Sequence, residues 1–500
     1  MWNFATSRVF WMPEADNVAA AIRECPFVVV SDVTAATDTA KLAHVLLPAT
    51  AWGEKTGTVT NSERRISRQR SFLRSPGETR PDWWIISEVA RRMGFGDAFT
   101  YADPSEIFAE HAALSAFENG GTRDFDIGAF SDVGPDTYDD LAPFQWPSPR
   151  PGVNGKRMFA DGRFFTPDGK ARFVNVHPPL VAAANPAFPF TLNTGRVRDH
   201  WHTMTRTGKS ARLSRHYAEP FVEIHPQDAT RHRIGDADLV RVSTGLGAII
   251  VRALLTTRQQ VGSLFIPMHW NDQFASRGRV DVLAAPVTDP HSGQPASKSI
   301  PVRIERFVAA AYGFAVLRRR PEDIAPEYWA IAKCEGGWRV EMAFASEPGD
   351  WSAFVNDLVG GRCEHAAYHD ARNGRTRFAC YDGSDLVGMV FLSREPVAVP
   401  REWAVSQLAE AAAPQRMRSV VLAGRPGAGA IDRGATVCAC FNVGVNDIVG
   451  AIAKGCASVG AVGVATQAGT NCGSCRAEIR SILDTQLGGA VPSQPPGVPA

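Results

Sequence analysis

The chain has 500 residues, too many for one hydrophobic core, so length alone predicts about three domains. An apolar fraction of 44%, a charged fraction of 21%, 12 Trp and 27 Phe describe an ordinary globular protein and exclude a disordered or fibrous one. A net charge of +1, from 53 basic and 52 acidic residues, gives no overall pull toward nucleic acid or membrane.

No basic region followed by an apolar run opens the sequence, and Arg252 interrupts the most apolar internal stretch, Ala248 to Leu255. The expected compartment is the cytoplasm. Residues 1–24 read as a helix started at Pro13 and Glu14, with Val18, Ala21 and Ile22 on its apolar face, leading into a strand. Pro26 to Asp32 and Lys41 to Pro48 are continuous apolar runs of the kind buried in parallel sheets. Helix alternating with buried strand predicts an α/β layer, here with an incomplete sheet. Asp82 would cap a helix over Trp83 to Met93, closed by Gly94, with Ile86, Val89, Ala90 and Met93 at helical spacing. Between Pro143 and Pro189 the chain is rich in Pro and Gly. It reads as a long connection, with strand-like pieces at Arg157 to Phe159 and Ala171 to Val176.

From Phe190 to Phe307 the pattern turns to β. Pro220 to Ile224 alternates, Asp238 to Thr244 and Ala248 to Leu255 flank a Gly-Leu-Gly hairpin signal, and Ser263 to Pro267 and Ile300 to Ile304 add strands. Short strands with glycine-bearing turns predict a closed barrel. Its first strand breaks at Gly195 and then presents Arg196, Arg198, His200, His202 and Thr203 within a few residues. Glycine permits close approach of a ligand, and arginine forks and threonine hydroxyls suit phosphate oxygens or a guanine edge. The alternative is a polar loop with solvated charges. His200-x-His202 could also be half of a zinc site, although no third ligand stands at suitable spacing.

Residues 309–410 read as a small α+β domain. Strands are expected at Trp338 to Phe344 and Arg377 to Leu392, the latter turning at Asp382-Gly383, and a capped helix over Asp350 to Val359. Ala411 to Gly434 reads as a linker, and the tail after Leu487 as disordered.

Nine cysteines are unevenly placed, with Cys438-x-Cys440 and Cys472-x-x-Cys475 forming two tight pairs. Between them Asn446 would cap a helix ending at Gly455, and a second helix runs from Ser458 to Gln467, with a third following Cys475. Four soft ligands in two pairs suit tetrahedral zinc or an iron–sulfur cluster. The small residues of Gly469 to Cys475 favour the cluster, because backbone N–H groups can point at sulfide. Cys456, one residue past the Gly455 stop, reads as a buried thiol.

Residues 436–485 resemble the bacterioferritin-associated-ferredoxin-like (BFD-like) [2Fe–2S] domain. Ala43 to Arg65 resembles a signature of molybdopterin oxidoreductases of the bis-molybdopterin guanine dinucleotide type. Thr194 to Thr203 is similar to their cofactor-binding turn, and Asp289 to Lys298 is also similar. With the cysteine module in the same order, the chain resembles the C-terminal portion of assimilatory nitrate reductase large subunits. The implied fold is mixed and multidomain. It comprises a partial α/β, Rossmann-like molybdopterin oxidoreductase domain (1–145), a connection (146–187) and a double-psi-like dinucleotide-binding β-barrel (188–308). The small α+β domain (309–410), a linker (411–435), a helical [2Fe–2S] domain (436–486) and a tail (487–500) follow.

Carried over, the resemblance puts Ser31 and Asp32, at a strand's end, on a guanosine group. It puts Lys55 on cofactor oxygens and Asp82 on a guanine edge, a role that could coexist with capping. Thr194, Gly195, Arg196, His200, His202 and Thr203 would wrap the second dinucleotide, and Lys298 would meet phosphate or pterin. A charge-assisted hydrogen bond to a phosphate is worth roughly 1.5–3 kcal/mol, against roughly 0–1 for an exposed ion pair. Asp281 falls where relatives often carry Asn, and a carboxylate there would disfavour an anionic ligand. Met268 to Asn271 would lie near the metal entrance, although a packed aromatic is the commoner role.

The implied cofactors are molybdenum with two molybdopterin guanine dinucleotides and a [2Fe–2S] cluster on Cys438, Cys440, Cys472 and Cys475. A [4Fe–4S] cluster and the molybdenum-ligating cysteine belong to the family's front half, whose Cys-x-x-Cys-x-x-x-Cys motif is not in these 500 residues. No catalytic residue is therefore expected in this chain, and alone it would be inactive. The implied partners are nitrate, an electron donor (an NAD(P)H-dependent reductase subunit, ferredoxin or flavodoxin) and the missing half, with neither nucleic acid nor membrane. The alternatives are a standalone iron–sulfur electron-transfer module beside a relic barrel, and another molybdopterin oxidoreductase such as a formate dehydrogenase.

Overall fold

The computed structural model describes residues 1–153, 155, 157–175, 185–409, 418–425, 433–438, 440–471, 473 and 475–487. They fall into two compact units, Met1–Thr6 with Ile22–Leu180, and Ser7–Ala21 with Val181–Ala500.

The first unit carries a parallel sheet of β1 (Trp2–Phe4), β2 (Val29–Asp32) and β3 (Val45–Pro48), with β2 in the middle. The chain thus opens on a strand rather than a helix; three residues are too short a run to show a period. The expected helix is Ala15–Glu24. Val30 and Ser31 in β2 are fully buried. β3 is not a buried strand: Val45 and Leu46 are 37% and 43% exposed, because β3 is an edge with only β2 beside it among the described residues.

A second sheet joins β4 (Gly57–Thr60), β5 (Arg65–Gln69) and β6 (Phe144–Gln145). It packs Ile66 and Phe144 against Phe108 and Ala112 of the helix Pro104–Ala116. The helix Asp82–Arg92 has Pro81 at its N-cap, so Asp82 is its first residue and makes no capping bond. Of the expected stripe Ala90 is buried and Val89 half-buried, whereas Ile86 and Met93 are exposed and Ile85 is buried instead. The strand-like pieces at 157–159 and 171–175 form no strands, and Phe173 is wholly exposed. Phe159 packs locally, on the Phe164 ring at 4.6 Å, and Val174 is largely exposed; Val176 lies outside the described residues.

In the second unit six strands close into a barrel in the order β10-β8-β11-β7-β12-β9. They are β7 (Phe190–Gly195), β8 (Phe221–Ile224), β9 (Leu239–Ser243), β10 (Ala248–Leu255), β11 (Ser263–Pro267) and β12 (Ile300–Arg306). The Gly-Leu-Gly hairpin pairs Ala248 with Ser243. Inward Leu192, Val222, Val242, Val251, Leu264 and Val302 make a closed apolar interior. Period-2 alternation puts these residues on one face of each strand. Two pairings are parallel, β10 with β8 and β11 with β7. The second of these makes the site. With Ile266 opposite Thr194 and Pro267 opposite Gly195, the segments leaving both strands emerge at the same end of the barrel.

Next comes an antiparallel sheet, ordered β14-β15-β13-β18-β17-β16. Its strands are β13 (Ala311–Leu317), β14 (Tyr328–Cys334), β15 (Gly337–Phe344), β16 (Glu364–Asp370), β17 (Arg375–Asp382) and β18 (Asp385–Ser393). Ala315 faces one core, with Val355 and Leu358 of the helix Trp351–Val359. Its neighbours Phe314 and Val316 face another, with Ala404 and Leu408 of the helix Arg401–Ala409. The expected Asp350 cap is present, its carboxylate accepting the Ser352 and Ala353 N–H groups. The expected linker is partly a packed helix, Arg418–Ala423, with Val421 buried and Arg377 donating to the Leu422 and Ala423 carbonyls. Residues 410–417, 426–432 and the tail 488–500 lie outside the described residues.

The cysteine module pairs β19 (Thr436–Cys438) with β20 (Val443–Gly444) and adds the helices Val445–Ala453, Val459–Thr466 and Arg476–Gln486. Gly444, not Asn446, is the N-cap of the first helix, because the Asp447 carboxylate turns back to accept the Gly444 N–H at 3.0 Å. Ser458 caps the second, its hydroxyl accepting the Ala461 N–H. Among the described residues no helix is long and apolar enough to cross a membrane.

Candidate functional site

Four of the expected residues sit at the C-terminal end of the parallel sheet in the first unit. Ser31 is fully buried, and its hydroxyl accepts the Trp2 indole N–H at 3.0 Å. Asp32 ends β2 and accepts the Val33 N–H at 2.7 Å. Burial raises its pKa, helped by the charge of Asp82 and opposed by the backbone donors. Lys55 pairs with Asp82 at 3.1 Å. One cation and two carboxylates are therefore gathered where open α/β sheets bind nucleotides.

The second group lies at the barrel end where β7 and β11 emerge side by side. Gly195 ends β7 without a positive φ. Glycine is required there by space, since a Cβ would stand 2.8 Å from the Phe265 ring. The Thr194 hydroxyl donates to the Ser297 carbonyl at 2.8 Å, and Lys298 donates to the Thr194 carbonyl. Arg196 lies over the half-exposed Trp201 ring, 4.6 Å from its centroid. His202 has a left-handed φ of 42° and sets its ring edge-on to Trp11 and Trp201. His200 is buried and shares a hydrogen bond with the Tyr217 carbonyl through Nε2, leaving Nδ1 buried without a partner. An orphaned ring nitrogen at the base of the turn is an acceptor available to a ligand donor.

His269, singled out in the sequence only as part of Met268 to Asn271, organises this turn. Its Nε2 accepts the Val197 N–H at 3.0 Å, so the proton sits on Nδ1, which donates to the His202 carbonyl at 2.8 Å. Burial pulls its pKa down to about 4, against the pull of the carbonyl bond. Asn271 donates to the Thr203 carbonyl at 2.9 Å. The signal that could have found both is position: they directly follow the strand that pairs in parallel with β7. Asp281 is buried, and burial pushes its carboxyl up to about 7, opposed by Lys298 and Arg279. Burial favours its protonated form, which repels an anion less than an ordinary carboxylate would. A carbonyl-bound lysine, a ring-stacked arginine, a buried imidazole nitrogen without a partner among the described residues and a glycine with no room for a side chain fit a phosphate-bearing dinucleotide.

Arg198 is placed differently. It does not point with Arg196 into the turn but is held by Asp199, His216, Glu478 and the Val437 carbonyl. Beyond it a cavity of about 490 Å³ is lined by Cys438, Cys440, Cys475 and Asn471 together with Arg198 and Arg212. Burial and the facing Cys438 thiol push the Cys475 thiol up to about 11. Cys472 lies outside the described residues, and among the described ones no three His, Cys, Asp or Glu side chains converge as a metal group. Three thiols on one cavity, two of them in contact, still suit soft-metal or iron–sulfur ligation. Cys456 packs against the module's core instead.

Residues 1–92 match the family model described as molybdopterin oxidoreductase. Residues 190–301 match the molydopterin dinucleotide binding domain, and residues 436–485 match the BFD-like [2Fe-2S] binding domain. The matches follow the chain order of a molybdopterin oxidoreductase segment, a dinucleotide-binding barrel and a BFD-like domain behind it. It is 41% identical over 489 residues to a nitrate reductase of Klebsiella oxytoca, covering 97% of this chain and 55% of that one. It is 34% identical to the assimilatory nitrate reductase catalytic subunit of Bacillus subtilis, covering 58% and 40%. It is 33% identical to the F420-dependent formate dehydrogenase subunit alpha of Methanocaldococcus jannaschii, covering 59% and 41%. The chain thus spans about half the length of these relatives or less.

Proposed function

We propose that this chain is the C-terminal portion of an assimilatory nitrate reductase large subunit, acting in the cytoplasm on nitrate. The observation that supports this best is the extent of the nitrate reductase likeness, which runs over 97% of the chain, whereas the formate dehydrogenase likeness covers 59%. When bound, the molybdenum bis-guanine-dinucleotide cofactor supplies oxygen-atom transfer and the [2Fe–2S] cluster supplies one-electron transfer. The residues of this chain bind and orient. Lys55, Asp32 and Asp82, with buried Ser31 behind them, receive one guanosine end. Thr194, Gly195, Arg196, His200, His202 and Thr203 wrap the other dinucleotide, with Lys298 and Asp281 beside it and His269 holding the turn shut. Cys438, Cys440, Cys472 and Cys475 hold the cluster. The electron donor belongs to the class of NAD(P)H-dependent reductase subunits, ferredoxins or flavodoxins.

Two assays test this with reduced viologen as donor. The chain alone is expected to form no nitrite from nitrate, and nitrite formation by the pure polypeptide overturns that part of the proposal. Co-produced with the part of the Klebsiella oxytoca nitrate reductase that it does not span, it is expected to form nitrite and not to oxidise formate. Formate oxidation without nitrite formation assigns it to the formate dehydrogenases.

A further inference from the structure

Two arginines join the barrel to the cysteine module. Arg198 leaves the dinucleotide turn and reaches across 280 residues of sequence. Its Nη1 meets the Glu478 carboxylate at 3.4 Å, and its Nη2 donates to the Val437 carbonyl at 3.2 Å. Val437 precedes Cys438, and Glu478 lies in the first turn of the helix that follows Cys475. The same guanidinium is fixed from the barrel side by Asp199 Oδ2 at 3.3 Å and His216 Nδ1 at 2.7 Å. Arg212 donates to the Cys440 carbonyl at 2.7 Å. Both arginines line the cavity that the three thiols face, and the Arg198 side chain is only 18% exposed.

We propose that Arg198 sets the reduction potential of the cluster and ties its position to the dinucleotide turn, with Arg212 as a second tie to the cysteine module. The inference rests on the cluster assignment above. Adding an electron makes a thiolate-bound cluster more negative, and a fixed, poorly hydrated cation beside it favours the reduced form. The Asp199 and Glu478 carboxylates paired with the guanidinium oppose this. Because Arg198 belongs to the turn Thr194 to Thr203, whatever orders that turn also fixes the cation. The arginines act as positioning residues: Arg198 reaches the Val437 carbonyl and Arg212 the Cys440 carbonyl.

The test is redox titration, at fixed pH and followed by electron paramagnetic resonance, of the full chain carrying its reconstituted cluster, alongside iron and labile-sulfide content. Arg198→Gln is expected to keep the cluster and to lower its reduction equilibrium constant at least tenfold, a fall of 59 mV for one electron. Glu478→Gln is expected to raise the potential, and Arg198→Lys, which keeps the charge but not the fork, to fall between Arg198→Gln and wild type. Opposite signs at Arg198 and Glu478 distinguish electrostatics from loosening, which would move both the same way. Potentials within twofold of wild type in equilibrium constant, or shifts of one sign, overturn the inference. If Arg198→Gln assembles no cluster, Arg198→Lys and Glu478→Gln decide it, and an unmoved potential in both overturns it. A wild-type chain that assembles no two-iron cluster overturns the assignment beneath, and this inference with it.

Discussion

Gly195 shows how closely one residue can be specified. A methyl group there would sit 2.8 Å from the Phe265 ring, inside any normal contact. Gly195→Ala should therefore destabilise the barrel by roughly 1–3 kcal/mol, the usual cost of overpacking. Phe265→Leu in the same chain should recover much of that, as read from urea unfolding midpoints; equal loss in both backgrounds would show that the ring is not the obstacle. Asp281 gives a pH signature. Folded, its carboxyl holds a proton up to about pH 7; unfolded, it releases it near the ordinary Asp value of 3.8. The folded state thus binds more protons between those values, and stability falls as pH rises through that window. Asp281→Asn should be more stable than wild type by roughly 1–4 kcal/mol at pH 8, with the gap closing near pH 4. A gap that does not change with pH would contradict the assignment. The presence of a glycine, two histidines and two arginines after a strand was legible in the sequence. Which arginine serves which neighbour was not, because Glu478 and Val437 approach Arg198 only through the tertiary fold.

Among the elements, those with a strong local signal were readable. The hairpin of β9 and β10 announces itself by alternation around Gly-Leu-Gly, and the helix Trp351–Val359 by its Asp350 cap. Cys438, Cys440 and Cys475 line one cavity, as the spacing suggests, but spacing leaves zinc and iron–sulfur both open. Other elements were not readable. An apolar run does not say whether a strand is central or at an edge, so β3 was misplaced, and no period fits into the three residues of β1. The helix Arg418–Ala423 was hidden in linker composition, because what orders it is Arg377 on a distant strand. Arg401, the first residue of the helix Arg401–Ala409, clamps it to the sheet through a bidentate pair with buried Glu341 at 2.8 and 3.0 Å, and Arg339 adds a third bond. Burial works against the Glu341 charge, but Arg401 and Arg339 outweigh it and bring its pKa to about 2. Its stabilising contribution is therefore present above the ordinary Glu value of 4.5 and lost as pH falls toward 2. Glu341→Ala leaves two arginines without their counter-charge and should cost about 3–5 kcal/mol at pH 7. A loss under ~1 kcal/mol, measured by thermal unfolding, would show that the helix is held by its apolar face alone.

At the scale of the molecule, the order of parts carries the argument. A parallel sheet gathers charged groups at its C-terminal edge, and a mixed barrel brings two parallel strands' exits together at one end. A cysteine module then sits against the same barrel through Arg198 and Arg212. That order is shared with a nitrate reductase over 97% of this chain and 55% of the relative. The most direct test of the central claim is metal and labile-sulfide analysis of the full chain, purified without oxygen. The account predicts about two irons and about two sulfides per chain. They should be lost on replacing Cys438, Cys440, Cys472 or Cys475 by Ala and retained in Cys456→Ala. A colourless protein holding about one zinc and no iron would contradict it.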